Sequence, residues 1–213
     1  MSPHRPKVAV HEWHIVFGGF QQDQNGSRQN GTLTLWGKLH NEMAGPNSVV
    51  EWHPWSANVD ALAEKILEFK NGVPPTICVY GYSWGGTTAM RFARALRRRG
   101  LRIRCMVLAD AVYRHWYALG QWRALVPWSY LSVPDNVDRV DWCYQRGPRF
   151  CLSRWRTEGG SFVEPAGHLV RAEDPEQTTV FEGVELKYDH SHMDNAHEWH
   201  NMSIFLARKY HDE

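Results

Sequence analysis

Apolar runs that suit buried strands alternate along the chain with segments whose apolar residues recur at helical spacing. The strand candidates are residues 14–17, 48–52, 76–80, 103–109, 137–144 and 180–188. The helix candidates are residues 30–43, 56–70 with Ser56 as the capping residue, 84–99 and 199–210. This alternation predicts an α/β fold in three layers, a mainly parallel sheet flanked by helices on both faces.

The sharpest motif lies between a predicted strand and a predicted helix. Gly81-Tyr82-Ser83-Trp84-Gly85 is a G-x-S-x-G pattern that follows the strand at 76–80 and opens the helix at 84–99. A serine at a sharp strand-to-helix turn projects its oxygen from the edge of the sheet, and glycines two residues away on either side avoid a clash there. We therefore predict that Ser83 is a nucleophile.

A serine hydroxyl is a poor nucleophile until a neighbouring base takes its proton. His190 and His192 follow the last predicted strand and precede the terminal helix, which is the region where this arrangement places its base. His190 is preferred because it comes first after the strand, and His192 remains the alternative. His197 and His200 fall in or near the helix and are expected at the surface.

The histidine in turn needs a carboxylate that orients its ring. Asp110 fits best, because the apolar run at 106–109 stops abruptly on it. Asp141 and Asp138, in or beside the strand at 137–144, are the competing candidates.

Negative charge that develops on a substrate oxygen requires preorganised backbone donors. The N–H of Trp84, directly after the serine, is the first candidate for this oxyanion hole. The second is expected from Gly19 or Phe20, since Phe17-Gly18-Gly19-Phe20 follows an early strand and glycine permits close backbone approach.

Composition and charge bear on the number of domains, on the classes of partner and on the location of the protein. The chain has 213 residues, of which 43% are hydrophobic and 22% charged, so we expect one globular domain over residues 1–213. A net charge of +1 offers no field that would attract nucleic acid. No stretch reaches the roughly 18 apolar residues of a membrane span, and the apolar run near the start is too short for a signal peptide, so a cytoplasmic location is expected. The four cysteines are expected to be reduced thiols.

Together these residues resemble the α/β-hydrolase superfamily, in particular its small lipase- and esterase-like members. The resemblance implies a serine hydrolase that cleaves a small-molecule or polymeric acyl substrate through a covalent acyl-enzyme, with no cofactor and no metal. Esters, thioesters and amides are all open as substrates, and so is the oligomeric state. The best acid lies one strand earlier than in the commoner pattern, which some lipases share. The segment 147–177 is interpreted as a hairpin insertion near the site.

Two other classes of function compete with this interpretation. His190-x-His192-x-Asp194 resembles the H-x-H-x-D motif of metal-dependent hydrolases, but a zinc site needs three or four placed ligands and few residues remain downstream. A non-catalytic binding module could keep the same fold, since fold alone does not fix activity. An ordered set of Ser, His and Asp would be unnecessary for such a module.

Overall fold

A six-stranded parallel sheet forms the middle of the structure, a computed structural model that describes residues 10–20, 22, 30–70, 72–112, 131–145 and 170–211. The strands are β1 (Glu12–Phe17), β2 (Ser48–His53), β3 (Thr76–Tyr82), β4 (Cys105–Ala109), β5 (Leu131–Val133), β6 (Arg139–Tyr144), β7 (Val170–Ala172) and β8 (Val180–Glu185). The large sheet has the order β2-β1-β3-β4-β6-β8, and each neighbouring pair is parallel. β5 and β7 form a separate parallel pair.

In the described part of the chain, four α-helices cover the two faces of this sheet. They are α1 (Gly31–Met43), α2 (Val59–Phe69), α3 (Trp84–Arg97) and α4 (His197–His211). α2 and α3 pack on one face, and α1 and α4 pack on the other. The predicted three-layer α/β arrangement is therefore confirmed.

The strands at the centre are apolar on both sides because both sides are covered. In β1, Ile15 and Phe17 point into the layer of α2 and α3, where the ring of Phe17 meets that of Phe92 edge to face at 5.6 Å. Val16, between them, points into the opposite layer. This alternation fixes the register of the strand, since a shift by one residue would exchange the two sets of side chains.

Several predicted boundaries move in the structure. Ser56 does not cap the second helix; the chain first makes a turn in which the N–H of Ala57 donates to the carbonyl of Pro54, and Asn58 is the N-cap. The side-chain oxygen of Asn58 accepts a hydrogen bond from the N–H of Ala61 at 3.1 Å. Most of the segment predicted as a hairpin insertion, residues 147–177, lies outside the described residues.

His200, predicted at the surface, is instead buried between α4 and α1. Its Nε2–H donates to the carbonyl oxygen of Asp194 at 2.8 Å, and its Nδ1 accepts a hydrogen bond from Lys38 at 3.1 Å. The periodicity of α4 did not reveal that this polar position faces α1. Burial lowers the pKa of His200 to about 4. His197 is exposed, as predicted.

Cys78, Cys105 and Cys143 are buried free thiols, and Cys151 lies outside the described residues. Among the described residues, no helix combines the length and the apolar character needed to cross a bilayer.

The capping assignment can be tested by a matched pair of substitutions. Asn58→Ala removes the acceptor for an otherwise unpaired N–H of α2 and should lower the free energy of unfolding by about 1 kcal/mol. Ser56→Ala, two residues earlier and exposed, should change it by less than about 0.5 kcal/mol. Urea unfolding of both variants measures the difference. Equal losses would show that Asn58 is not the cap.

The burial of His200 predicts how stability depends on pH. Because the pKa of His200 falls from its ordinary value of 6.5 to about 4 in the folded protein, the unfolded chain binds a proton first as the solution is acidified. Stability should therefore fall as the pH falls from 6.5 towards 4. Burial raises the pKa of the neighbouring Asp194, which acts in the opposite direction. Asp194 is present in both the wild type and a His200→Gln variant, so its contribution cancels when the pH dependence of the two proteins is compared.

Urea unfolding at several pH values should thus show a shallower loss of stability for His200→Gln than for the wild type. His197→Gln, on the exposed side of the same helix, should keep the wild-type slope. A wild-type slope in His200→Gln would contradict the neutral, buried imidazole.

Candidate active site

Ser83 occupies the turn between β3 and α3 with a strained backbone. Its φ of 52° and ψ of −121° are unfavourable for a residue with a side chain. The surrounding main chain holds this conformation: the N–H of Ser83 donates to the carbonyl of Ala109, and its own carbonyl accepts hydrogen bonds from the N–H groups of Gly86 and Val112. The turn is thus fixed by the residues at and just after the end of β4.

The glycines around Ser83 allow α3 to begin directly against the sheet. A Cβ at Gly85 would lie 2.4 Å from the carbonyl oxygen of Phe17 at the end of β1. A Cβ at Gly86 would lie 2.3 Å from that of Ala111. Such distances are far inside van der Waals contact, so a larger residue at either position would push the helix away from the strands.

The structure brings Ser83, His190 and Asp110 into one chain of hydrogen bonds. Asp110 follows β4, and His190 begins a 3-10 helix, His190–Asn195, between β8 and α4. Nδ1 of His190 lies 2.6 Å from Oδ2 of Asp110, and Nε2 lies 2.9 Å from Oγ of Ser83. An ionised carboxylate can only accept, so Nδ1 carries the ring proton and Nε2 keeps the lone pair that faces the serine hydroxyl.

Asp110 is fully buried and receives a second donor that the sequence analysis missed. Nε2 of Gln145 donates to the same Oδ2 atom at 2.8 Å. A buried carboxylate requires such donors to offset its loss of hydration. Gln145 directly follows β6, whose carboxyl end lies beside that of β4, and a polar residue at this point was the available signal.

Tyr82, the residue before Ser83, was also missed. Its hydroxyl donates to the carbonyl oxygen of His190 at 2.6 Å, and its ring stacks on the imidazole with centroids 5.3 Å apart. The same turn that presents Ser83 therefore also fixes the segment that carries His190.

The alternative acids and the alternative base have other partners. Arg139 donates two hydrogen bonds to Asp141, at 2.6 and 2.7 Å, and Arg102 and Arg104 pair with Asp138. Asp141 pairs with Val107 of β4 in the sheet. Since Val107 comes three residues before Asp110, Asp141 lies further from the carboxyl edge of the sheet than Asp110 does. His192 is exposed and contacts the carboxylate of Asp189. None of these side chains hydrogen-bonds to Ser83 among the described contacts.

The loop after β1, residues 18–20, lies against Ser83; we call it the oxyanion loop after the donor that the sequence predicts in it. A Cβ at Gly19 would be 3.2 Å from that of Ser83. The N–H of Gly19 already donates to Oε1 of Gln22 at 2.6 Å. Of the two predicted loop donors, Phe20 is therefore the better partner for Trp84, whose N–H lies in the first turn of α3.

The motif that resembles a metal site does not converge in space. His190 faces Ser83, and His192 contacts Asp189. Oδ2 of Asp194 accepts hydrogen bonds from Gln22 and from the N–H of Gly31. Within the described part of the chain, no group of three or more His, Cys, Asp or Glu side chains is placed to hold a metal ion.

The chain resembles a known protein family over part of its length. The Thioesterase domain family matches residues 35–124, less than half of the chain, a stretch that includes Ser83 and Asp110 but not His190. No curated protein matches.

Several solved structures are similar to this chain over most of its length. The RedJ thioesterase of the prodiginine pathway in Streptomyces coelicolor is 14% identical, with a TM-score of 0.49, over 98% of this chain and 90% of its own. A lidless α/β serine hydrolase from Xanthomonas campestris is 15% identical, with a TM-score of 0.47, over 97% and 85%. Human thioesterase 2 is 10% identical, with a TM-score of 0.48, over 93% and 95%. None of these likenesses assigns a role to a residue.

Three features remain decisive: the parallel strand order, the strained serine between β3 and α3, and the family match that spans this turn. They agree with the α/β-hydrolase fold and with the resemblance to that superfamily that the sequence motif carries.

Proposed function

We propose that the protein hydrolyses acyl thioesters or esters through an acyl-enzyme on Ser83. The observation that carries the proposal is the continuous hydrogen-bonded path from Asp110 through His190 to Ser83, with donor–acceptor distances of 2.6 and 2.9 Å. The Thioesterase family match over the nucleophile turn supports hydrolysis of an ester or thioester.

In the acylation step, Oγ of Ser83 attacks the carbonyl carbon of the substrate while Nε2 of His190 takes the hydroxyl proton. The resulting tetrahedral intermediate carries its negative charge on the former carbonyl oxygen. When it collapses, the bond to the leaving group breaks, and the imidazolium returns its proton to the departing sulfur or oxygen. Asp110 stabilises the transient positive charge on the ring.

Deacylation repeats these transfers with water. Nε2 removes a proton from the water as its oxygen attacks the acyl carbon, and a second tetrahedral intermediate forms. Its collapse breaks the bond to Oγ, which regains a proton from His190. The products are a carboxylic acid and the free serine.

The backbone N–H groups of Trp84 and Phe20 serve as the oxyanion donors in this proposal. Each of them stabilises charge that exists only after the attack, so it accelerates the reaction rather than tightening substrate binding. A single donor of this kind contributes about 10²- to 10³-fold in kcat.

A thioester with an apolar acyl group is the favoured substrate. Thiols have a pKa of about 8.5, so a thiolate departs more readily than an alkoxide, and the carbon–sulfur bond can break before the proton of His190 has fully reached the sulfur. Beside Ser83, the rings of Phe20, Trp55 and Trp84 pack with centroids 4.5 to 5.6 Å apart, and Phe20 is 41% exposed. This aromatic surface offers contact for an acyl chain. A higher kcat/KM for an acyl thioester than for the matched oxygen ester would support the assignment, and a lower one would favour an esterase.

The nucleophile can be tested by covalent labelling. The wild-type protein should react with a fluorophosphonate probe at Ser83, because the adduct resembles the tetrahedral intermediate. Ser83→Ala should abolish labelling and lower kcat by several orders of magnitude, about 10⁶-fold in a related triad. Mass spectrometry of the labelled peptide and thioester turnover measure the two effects.

Ser191→Ala is the matched control, since this serine is exposed and follows His190 directly. It should keep both labelling and turnover. Labelling that persists in Ser83→Ala would refute the proposal, and a wild-type protein that is neither labelled nor active would favour a binding module.

The base and the acid predict a second set of variants. His190→Ala should fall to the residual rate of Ser83→Ala, because members of a triad act as a unit. Asp110→Asn should lower kcat by about 10⁴-fold by releasing the required tautomer. Turnover and thermal unfolding should be measured together for each variant.

His192→Ala and Asp141→Asn are the paired controls. His192 is exposed and should be dispensable, whereas Asp141→Asn should cost stability through its ion pair with Arg139 and leave kcat close to wild type. A folded Asp110→Asn protein with normal turnover, or an active His190→Ala protein, would reassign the role to the control residue.

A further inference from the structure

A buried carboxylate links the segment of the base to the oxyanion loop. Asp194 lies on the same 3-10 helix as His190, and its side chain is removed from solvent. Its Oδ2 atom accepts hydrogen bonds from Nε2 of Gln22 at 2.7 Å and from the N–H of Gly31 at 2.9 Å. Oδ1 accepts one from Nδ2 of Asn195 at 3.0 Å. Three donors therefore surround this carboxylate.

Gln22 carries the link onward to the nucleophile. Its Oε1 accepts the N–H of Gly19 at 2.6 Å and the hydroxyl of Thr32 at 3.2 Å. One amide side chain, 172 residues before Asp194 along the chain, thus donates to that carboxylate and accepts from the oxyanion loop. Each hydrogen bond of this path requires the same orientation of the Gln22 amide, with its oxygen towards Gly19 and its nitrogen towards Asp194.

We propose that Gln22 and Asp194 are positioning residues that hold the oxyanion loop in register with the helix that carries His190. The inference rests on the proposed function. Neither residue touches the reacting atoms. The Gln22 side chain holds the N–H of Gly19, and the backbone N–H of Gln22 donates to the carbonyl oxygen of Gly19 at 3.1 Å. That carbonyl shares a peptide with the N–H of Phe20, so the placement of Gln22 sets the direction in which this N–H points.

The start of α1 anchors the other end of the link. A Cβ at Gly31 would lie 2.2 Å from the backbone oxygen of Asp194, so the 3-10 helix rests directly on the first turn of α1. His200 also holds this point in place, because its Nε2–H donates to the same backbone oxygen of Asp194. Asp194 is therefore a fixed point, and Gln22 transmits its position to the loop. A shift of about 1 Å in such a site can cost about 10²-fold in rate.

The first test is Gln22→Ala. It should lower kcat for thioester hydrolysis by about 10- to 100-fold with little change in KM, because oxyanion donors act mainly on the transition state. The rate of fluorophosphonate labelling at Ser83 should fall by a similar factor. Asp194→Ala should show the same pattern. The double variant should have a kcat little lower than either single variant, because each substitution breaks the same hydrogen bond between Gln22 and Asp194.

A pH profile separates positioning from simple structural support. In Gln22→Glu, the introduced carboxyl must keep a proton to donate to Asp194 as the amide does. Its kcat relative to wild type at the same pH should therefore be highest in acid and fall as the pH rises. Asp194→Asn, which keeps an oxygen acceptor for Gln22 and Gly31, should restore most of the activity lost in Asp194→Ala.

Asn136→Ala is the control for a general loss of stability. Nδ2 of Asn136 is buried and donates to the carbonyls of Ala93 and Leu101, both at 2.9 Å. These carbonyls lie towards and beyond the C-terminal end of α3, whereas Ser83 lies at its N-terminal end. This variant should unfold more easily and keep its kcat.

The outcomes distinguish the two proposals. If the wild type is labelled at Ser83 but Gln22→Ala is labelled equally fast with normal kcat, the positioning role is refuted and the serine mechanism stands. A pH-independent ratio for Gln22→Glu, or a Gln22→Ala defect confined to KM, would refute it as well. A wild type that is never labelled overturns both proposals.

Discussion

The close approach of α3 to the ends of β1 and β4 is the constraint from which the site follows. The first turn of α3 can lie against these strands only because Gly85 and Gly86 have no side chains. This contact forces Ser83 into a strained conformation, which is stabilised by the hydrogen bond that its N–H donates to Ala109 and by the one that its carbonyl accepts from Val112. Strain of this kind costs about 1–3 kcal/mol and persists only where the surrounding structure imposes it. The serine is consequently presented in one orientation before any substrate arrives.

Much of this arrangement could be predicted from local patterns. The glycine spacing around Ser83 reports a steric requirement of its own turn, and the apolar runs report burial on both sheet faces. His190 and Asp110 could be selected because strand ends of a parallel sheet meet at one edge, so order along the chain translates into proximity. Their distances to Ser83 follow from the fold, and their catalytic roles are the proposal made above.

The contacts that could not be predicted join residues with no local pattern. Gln22 and Asp194 are 172 residues apart, and Tyr82 and His190 are 108 apart. A glutamine in a polar loop has the same appearance in sequence whether it faces water or bridges two segments. His200 was misjudged for a related reason: the helical period predicts a buried stripe, but not which polar residue lies at its margin against α1. Ser56 and Asn58 both have side chains that suit an N-cap, and the turn at Pro54 decided between them.

The wide separation of His190 from Ser83 and Asp110 along the chain has a consequence for synthesis. Ser83 and Asp110 belong to strands and turns that leave the ribosome early, and His190 follows Asp110 by 80 residues. At about 5–20 residues per second, some 4–16 seconds separate the acid from the base. On the proposed mechanism, the nascent chain holds Ser83 without its proton acceptor for that interval, so hydrolysis begins only when His190 has docked beside Ser83.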